Sequence, residues 1–128
     1  MKSHEEREQL NATTRAALEC AFRVSNALGH GFLEKVYENA LAIELRESGL
    51  KVVQQPHVEV RYRDRVVGEY CPDLVVEGVV LEIKAASNLE DVHIHQCLNY
   101  LRATRLCVGL VLNFGRARVQ YRRVVWDF

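Results

Sequence analysis

Apolar positions recur at helical spacing twice near the start of the chain, and at strand spacing through most of its remaining length. From about Asn11 to Leu28, the residues Ala17, Leu18, Ala21, Phe22, Ser25 and Leu28 share one stripe, with Asn11 or Thr13 as cap and Gly29 as stop, which predicts a first amphipathic helix. A second comes after Gly31, where Leu33, Val36, Tyr37, Ala40, Leu41 and Leu45 repeat until Ser48 and Gly49 end it. From Lys51 the period changes to two. The runs Lys51 to Gln54, His57 to Arg63, Arg65 to Val76 and Val79 to Ala85 predict an antiparallel meander, with turns at Pro56, Asp64 and Glu77-Gly78 and a bulge or bend at Gly68. Asn88 or Ser87 is the expected cap of a helix from about Leu89 to Ala103, with Leu89, Val92, Leu98 and Leu101 as its apolar positions. Leu106 to Leu112 is unbroken apolar sequence, as in a strand buried on both faces, and Arg118 to Trp126 alternates. A strand, a crossover helix and a second strand from Val79 to Leu112 predict a right-handed parallel unit. The expected fold is therefore α/β, a mixed central sheet flanked by helices, in one domain over residues 1–128.

The hairpin at Glu77-Gly78 carries the chemistry. With those two residues at the centre of a tight turn, residue 76 pairs with 79, 75 with 80, 74 with 81, and Asp73 faces Glu82. Strand side chains alternate, so Lys84 joins both acids on one face, while Leu74, Val76, Val79, Leu81 and Ile83 make an apolar face on the other. Two carboxylates ~5 Å apart repel by roughly 3 kcal/mol at an effective dielectric of 20. Lys84, a shared proton or a divalent cation must relieve that repulsion. A cation beside a lysine can activate water and stabilise a pentavalent phosphate, which is what phosphodiester hydrolysis requires.

Charge and composition narrow the choice little. Lys plus Arg and Asp plus Glu number 17 each, so the 128-residue chain carries no basic excess of the kind dedicated nucleic-acid binders show. Its basic residues are mostly arginines, however, and Arg102, Arg105, Arg116, Arg118, Arg122 and Arg123 cluster late in the chain, suited to phosphate contacts or to surface ion pairs. No stretch approaches the roughly 20 apolar residues of a bilayer span, and the opening MKSHEEREQL is too charged for a signal peptide, so a cytoplasmic protein is expected. Cys20, Cys71, Cys97 and Cys107 lack CxxC spacing and read as free thiols within apolar segments.

Gly31-Phe32-Leu33-Glu34-Lys35-Val36-Tyr37 fits a GxxExxY pattern, and Pro72-Asp73 with Glu82-Ile83-Lys84 resembles the PD-(D/E)xK nuclease motif. Together they resemble the GxxExxY family of the restriction-endonuclease-like superfamily, from the first helix to Asn113-Phe114-Gly115. The resemblance implies that Asp73 and Glu82 bind Mg²⁺ or Mn²⁺, with the backbone carbonyl of Ile83 as a third ligand and Glu34 as a further acidic candidate. It implies that Lys84 positions or activates the attacking water, and that Gln96 and Tyr100, matching a QxxxY pattern, lie near the site.

The expected function is a divalent-metal-dependent nuclease on DNA or RNA, with a homodimer supplying the surface that one small chain lacks. The alternatives are a non-catalytic nucleic-acid-binding or subunit module that keeps the acidic site, and a hydrolase of another phosphoester. Structural readings stand beside these. Asp73, Glu82 and Lys84 could form a solvated ion-pair ladder, Glu34 could merely favour a helix N-terminus, and Tyr37 fits a core. Gln96 and Tyr100 could be a surface amide beside a half-buried ring. His93, His95 and Cys97 alternate around a helix, so successive members cannot share a zinc ion. Trp126 and Phe128 suit packing against a helix or a second subunit.

Overall fold

A computed structural model describes residues 2–128. Helix α1 runs from His4 to Leu28, two turns longer at its start than the apolar stripe predicted. Its true cap is Ser3, whose hydroxyl accepts from the Glu6 N–H at 3.2 Å while Glu6 accepts from the Ser3 N–H at 3.3 Å. Thr13, expected as a cap, instead lies mid-helix and donates to the Gln9 carbonyl. The buried face is Thr13, Thr14, Ala17, Cys20, Ala21, Val24 and Ser25, so Phe22 is turned outward.

Helix α2, Glu34–Glu47, buries Tyr37, Leu41 and Leu45 one turn apart, as their spacing predicted, together with Glu38 and Ala42. Leu33 and Val36, although part of the apolar repeat, are exposed. Tyr37 is fully buried, stacks on Phe114 at 4.8 Å and donates to the Gly29 carbonyl at 2.6 Å. It also accepts from the Phe32 N–H, so it ties down the loop between the two helices.

The strands are β1 Val52–Gln54, β2 Val58–Tyr62, β3 Arg65–Tyr70, β4 Leu74–Val76, β5 Val79–Lys84, β6 Val108–Asn113 and β7 Gln120–Val125. Five form a sheet in the order β1-β4-β5-β6-β7, parallel only between β5 and β6. The predicted meander is corrected here, because β2 and β3 pair only with each other, as a separate ribbon. Gln55 takes a positive φ of 50° and Pro56 has no N–H, so the chain leaves the sheet and β1 pairs with β4 instead. The register of the ribbon shifts opposite Gly68, where an irregularity was expected. Glu77 and Gly78 have φ of 41° and 87°, the consecutive positive values of a type I′ turn.

Helix α3, Asp91–Thr104, comes after β5. It starts after Glu90, whose N–H donates to His93 Nδ1 at 3.0 Å, rather than at a Ser87 or Asn88 cap, and Val92 faces outward rather than into the core. One core lies between the sheet and α1 and α2, built on Leu74, Val76, Val79, Leu81 and Ile83. A second, with Val80, Val111, Cys97 and Leu101, lies between the sheet and α3. All six β6 residues are buried, as their unbroken apolar run predicted. Phe128 packs on the first core, where its carbonyl accepts from Arg7 Nε at 2.9 Å, and Trp126 packs on the second. The four cysteines are unpaired. Among the described residues no helix is long and apolar enough to cross a membrane.

Candidate functional site

The β4–β5 hairpin has the register its turn demands, Val76 opposite Val79, Val75 opposite Val80 and Leu74 opposite Leu81. Asp73 lies one residue before the ladder and meets Glu82. Its N–H donates to Glu82 Oε1 at 3.2 Å, while its own Oδ2 accepts from the Ile83 N–H at 2.7 Å. Two side-chain carboxylates thus take main-chain donors at the point where the ladder stops. Glu82 is 3% exposed and Asp73 half-buried, so a solvated ion-pair ladder is not what this face provides. Ile83, between Glu82 and Lys84, points into the opposite core.

Burial pushes the Glu82 carboxyl up to about 9, and the neighbouring Asp73 charge adds to the rise. Asp73 is also raised, by burial and then by the charge of Glu38, although the Ile83 N–H opposes this. Near neutral pH and without a cation, Glu82 therefore favours its protonated form.

Lys84 Nζ donates to Gln96 Oε1 at 3.1 Å, and Gln96 Nε2 donates to Tyr100 Oη at 3.3 Å. The i, i+4 spacing of Gln96 and Tyr100 on α3 makes this relay from strand to helix. Burial, then the charges of Glu82 and Asp73, raise the Tyr100 hydroxyl to about 12. Glu34, exposed at the start of α2, accepts from the Ala85 N–H at 3.3 Å and so sits at the end of β5 beside Lys84.

Two residues that the sequence did not single out complete the arrangement. Glu38, 3% exposed, accepts from Lys35 Nζ at 3.0 Å, Gln54 Nε2 at 2.8 Å and Gln55 Nε2 at 2.9 Å. Gln55 Nε2 also reaches Asp73 Oδ1 at 3.3 Å, linking the helix acid to the hairpin acid. The available signal was a glutamate between Tyr37 and Leu41 in the apolar face of a helix, one turn beyond Glu34. His93 and Cys97 stand apart from this network, His93 at the α3 cap and Cys97 in the second core.

The sequence model of the PD-(D/E)XK nuclease superfamily matches residues 11–124. The chain belongs to this superfamily. Its mixed sheet, antiparallel apart from one parallel pair and flanked by three helices, is the restriction-endonuclease-like α/β arrangement expected from the sequence. No curated protein matches the chain.

Superfamily members generally use divalent metal ions. No group of three His, Cys, Asp or Glu side chains that could hold a metal occurs among the described residues. The donors at the hairpin are two carboxylates with main-chain oxygen nearby. That set suits a hard cation that keeps several of its waters and does not suit a closed four-ligand zinc site. By that donor chemistry, two opposed carboxylates fit such an ion.

Proposed function

We propose that the chain is a Mg²⁺- or Mn²⁺-dependent phosphodiester hydrolase acting on DNA or RNA. We place it in the GxxExxY group of the superfamily, folded as one domain over residues 1–128 and working in the cytoplasm. The observation that carries this reading is the opposed pair of half-buried Asp73 and buried Glu82 with Lys84 on the same strand face.

Asp73 and Glu82 would hold the ion with the Ile83 carbonyl, and Glu34 is a further acid at the rim. Pro72 lacks the N–H that would otherwise pair with that carbonyl in the continued ladder, which leaves its oxygen for a ligand. When bound, the ion supplies Lewis acidity and a water of lowered pKa. Glu82 gives up its proton on binding, so affinity rises with pH. Lys84, aimed by Gln96 and Tyr100, holds the attacking water in place and offsets the charge gathering on the phosphate. Glu38 is a positioning residue, acting on Asp73 through Gln55. A homodimer would add surface for the substrate.

Calorimetric titration with Mn²⁺ tests the first step, since wild type should give a binding isotherm that Asp73→Asn abolishes. Identical isotherms would end the proposal. Plasmid and single-stranded substrates test the second, with cleavage expected from wild type and lost in Lys84→Ala. Metal binding without any Lys84-dependent product would leave a non-catalytic module that keeps the acidic site.

A further inference from the structure

Helix α3 and the β2–β3 ribbon meet only in part. Between them run two clefts, of about 510 Å³ and 320 Å³, joined at Tyr70 and Asn99, which line both. The smaller is walled by Gln96 and Tyr100, the residues through which α3 reaches Lys84. The larger leads away from the acid pair and is lined by Arg61, Arg102 and Arg105. Its single acid, Glu59, is already paired with Arg61 at 2.9 Å. All three arginines are exposed.

Arg105 stands at the left-handed position that ends α3, with φ of 63°. Helices commonly put glycine there because a side chain strains that conformation. Here an arginine occupies it, and among the described residues its guanidinium has no hydrogen-bond or ion-pair partner. Tyr70 is 41% exposed and meets Tyr100 edge-on at 5.4 Å, so aromatic surface faces the junction of the clefts. Arginine heads along a groove with aromatic rings at its floor are the constellation that holds a single strand, phosphates on the cations and bases on the rings. A duplex keeps its bases stacked inside and would leave those rings unmet. A specific grip on it would also take about 1,000 to 2,500 Å² from a chain whose whole surface is 7622 Å² and whose net charge is zero.

We propose that this cleft is the channel for a single-stranded nucleic-acid segment, with Arg102 and Arg105 on its phosphates, Tyr70 stacked on a base, and Arg61 staying with Glu59 at the wall. The proposal rests on the nuclease reading only in assigning the cut to the Lys84 end of the channel.

The test is fluorescence anisotropy in EDTA with labelled oligothymidylate and oligouridylate of about 12 nucleotides, against a hairpin duplex. Wild type should prefer the single strands by about tenfold or more. Arg102→Ala/Arg105→Ala should weaken that binding about tenfold and lower its log-log salt slope by about 1.4, the share of two phosphate contacts on a single strand. Tyr70→Ala should weaken it about tenfold without changing the salt slope. Thermal melts and Mn²⁺ isotherms like those of wild type would show each variant to be folded. Unchanged affinity in the variants, equal or tighter binding of the duplex, or no binding to either oligonucleotide would overturn the channel. The two readings fail separately. Arginine-dependent binding in a protein that cuts nothing retires the nuclease and keeps the channel, whereas undiminished Mn²⁺-dependent cleavage by the arginine double variant does the reverse.

Discussion

Glu82→Gln should make the metal-free protein more stable while removing its capacity for metal. Burial and the facing Asp73 raise the Glu82 carboxyl from 4.5 to about 9, so the folded chain holds this proton far more tightly than the unfolded chain does. Between those values the unfolded state gives up the proton and the folded state keeps it. The contribution of Glu82 to stability is therefore greatest below the ordinary carboxylate range and falls as pH rises, by about 1.4 kcal/mol per pH unit, levelling only near the raised value. By pH 7 the accumulated cost is about 3 kcal/mol. Glutamine has no proton to lose and keeps the oxygen that accepts from the Asp73 N–H. Urea melts in EDTA at pH 5.5, 7 and 8.5 should show wild type losing stability with pH and the variant nearly flat. The gap at pH 7 corresponds to a thermal midpoint about 10 °C higher in the variant. Mn²⁺ at about 100 times its Kd should then return about 2.7 kcal/mol to wild type and nothing to the variant. Parallel pH curves for the two proteins in EDTA would refute the reasoning, because they would mean that Glu82 is not held protonated.

Three further outcomes check other parts of the structure. A Cβ on Gly109 would lie 2.6 Å from Cys97 Sγ, so Gly109→Ala should cost about 1–3 kcal/mol in urea melts and Cys97→Ala should recover most of it; a neutral single variant would show the second core to be looser than described. Glu38→Gln removes a negative charge that raises Asp73 and should lower the Asp73 pKa in a carboxyl NMR titration, whereas no movement would disconnect α2 from the site. Pro72→Ala restores an N–H opposite the Ile83 carbonyl, and a competing hydrogen bond worth about 1 kcal/mol should weaken Mn²⁺ binding about fivefold by calorimetry; unchanged affinity would remove that carbonyl from the ligand set.

The parts of the site that could be read from sequence are those fixed by local geometry. A two-residue turn and strict alternation set the β4–β5 register, so Asp73, Glu82 and Lys84 emerged from counting, and i, i+4 spacing did the same for Gln96 and Tyr100. The start of α1 escaped because it is fixed by the Ser3–Glu6 capping box, within a charged stretch that has little apolar pattern. The ribbon escaped for a related reason. Alternation marks β2 and β3 as strands but does not say which sheet they join, and only the turned-out backbone at Gln55 decides that. Glu38 and Gln55 depend in turn on β1 lying against β4, with Gln54 opposite Leu74, a pairing across a long stretch of chain that no short motif announces.

The proline and the aspartate of the hairpin answer one structural question. In a two-residue hairpin the residues flanking the turn exchange main-chain hydrogen bonds, and bonded pairs then alternate along the ladder. From Val76 and Val79 the bonded pairs step to Leu74 and Leu81, and next to Pro72 and Ile83. Proline has no N–H to give the Ile83 carbonyl, so the ladder cannot close there. The N–H of the buried Ile83 would be costly to leave unpaired, and it turns to the Asp73 carboxylate at 2.7 Å. That bond holds Asp73 in front of Glu82 with its second oxygen toward Gln55, and the Ile83 carbonyl has no ladder donor from Pro72. Ending the sheet at Pro72 thus sets two carboxylates against each other, a repulsion that Lys84, a proton or a bound ion can relieve.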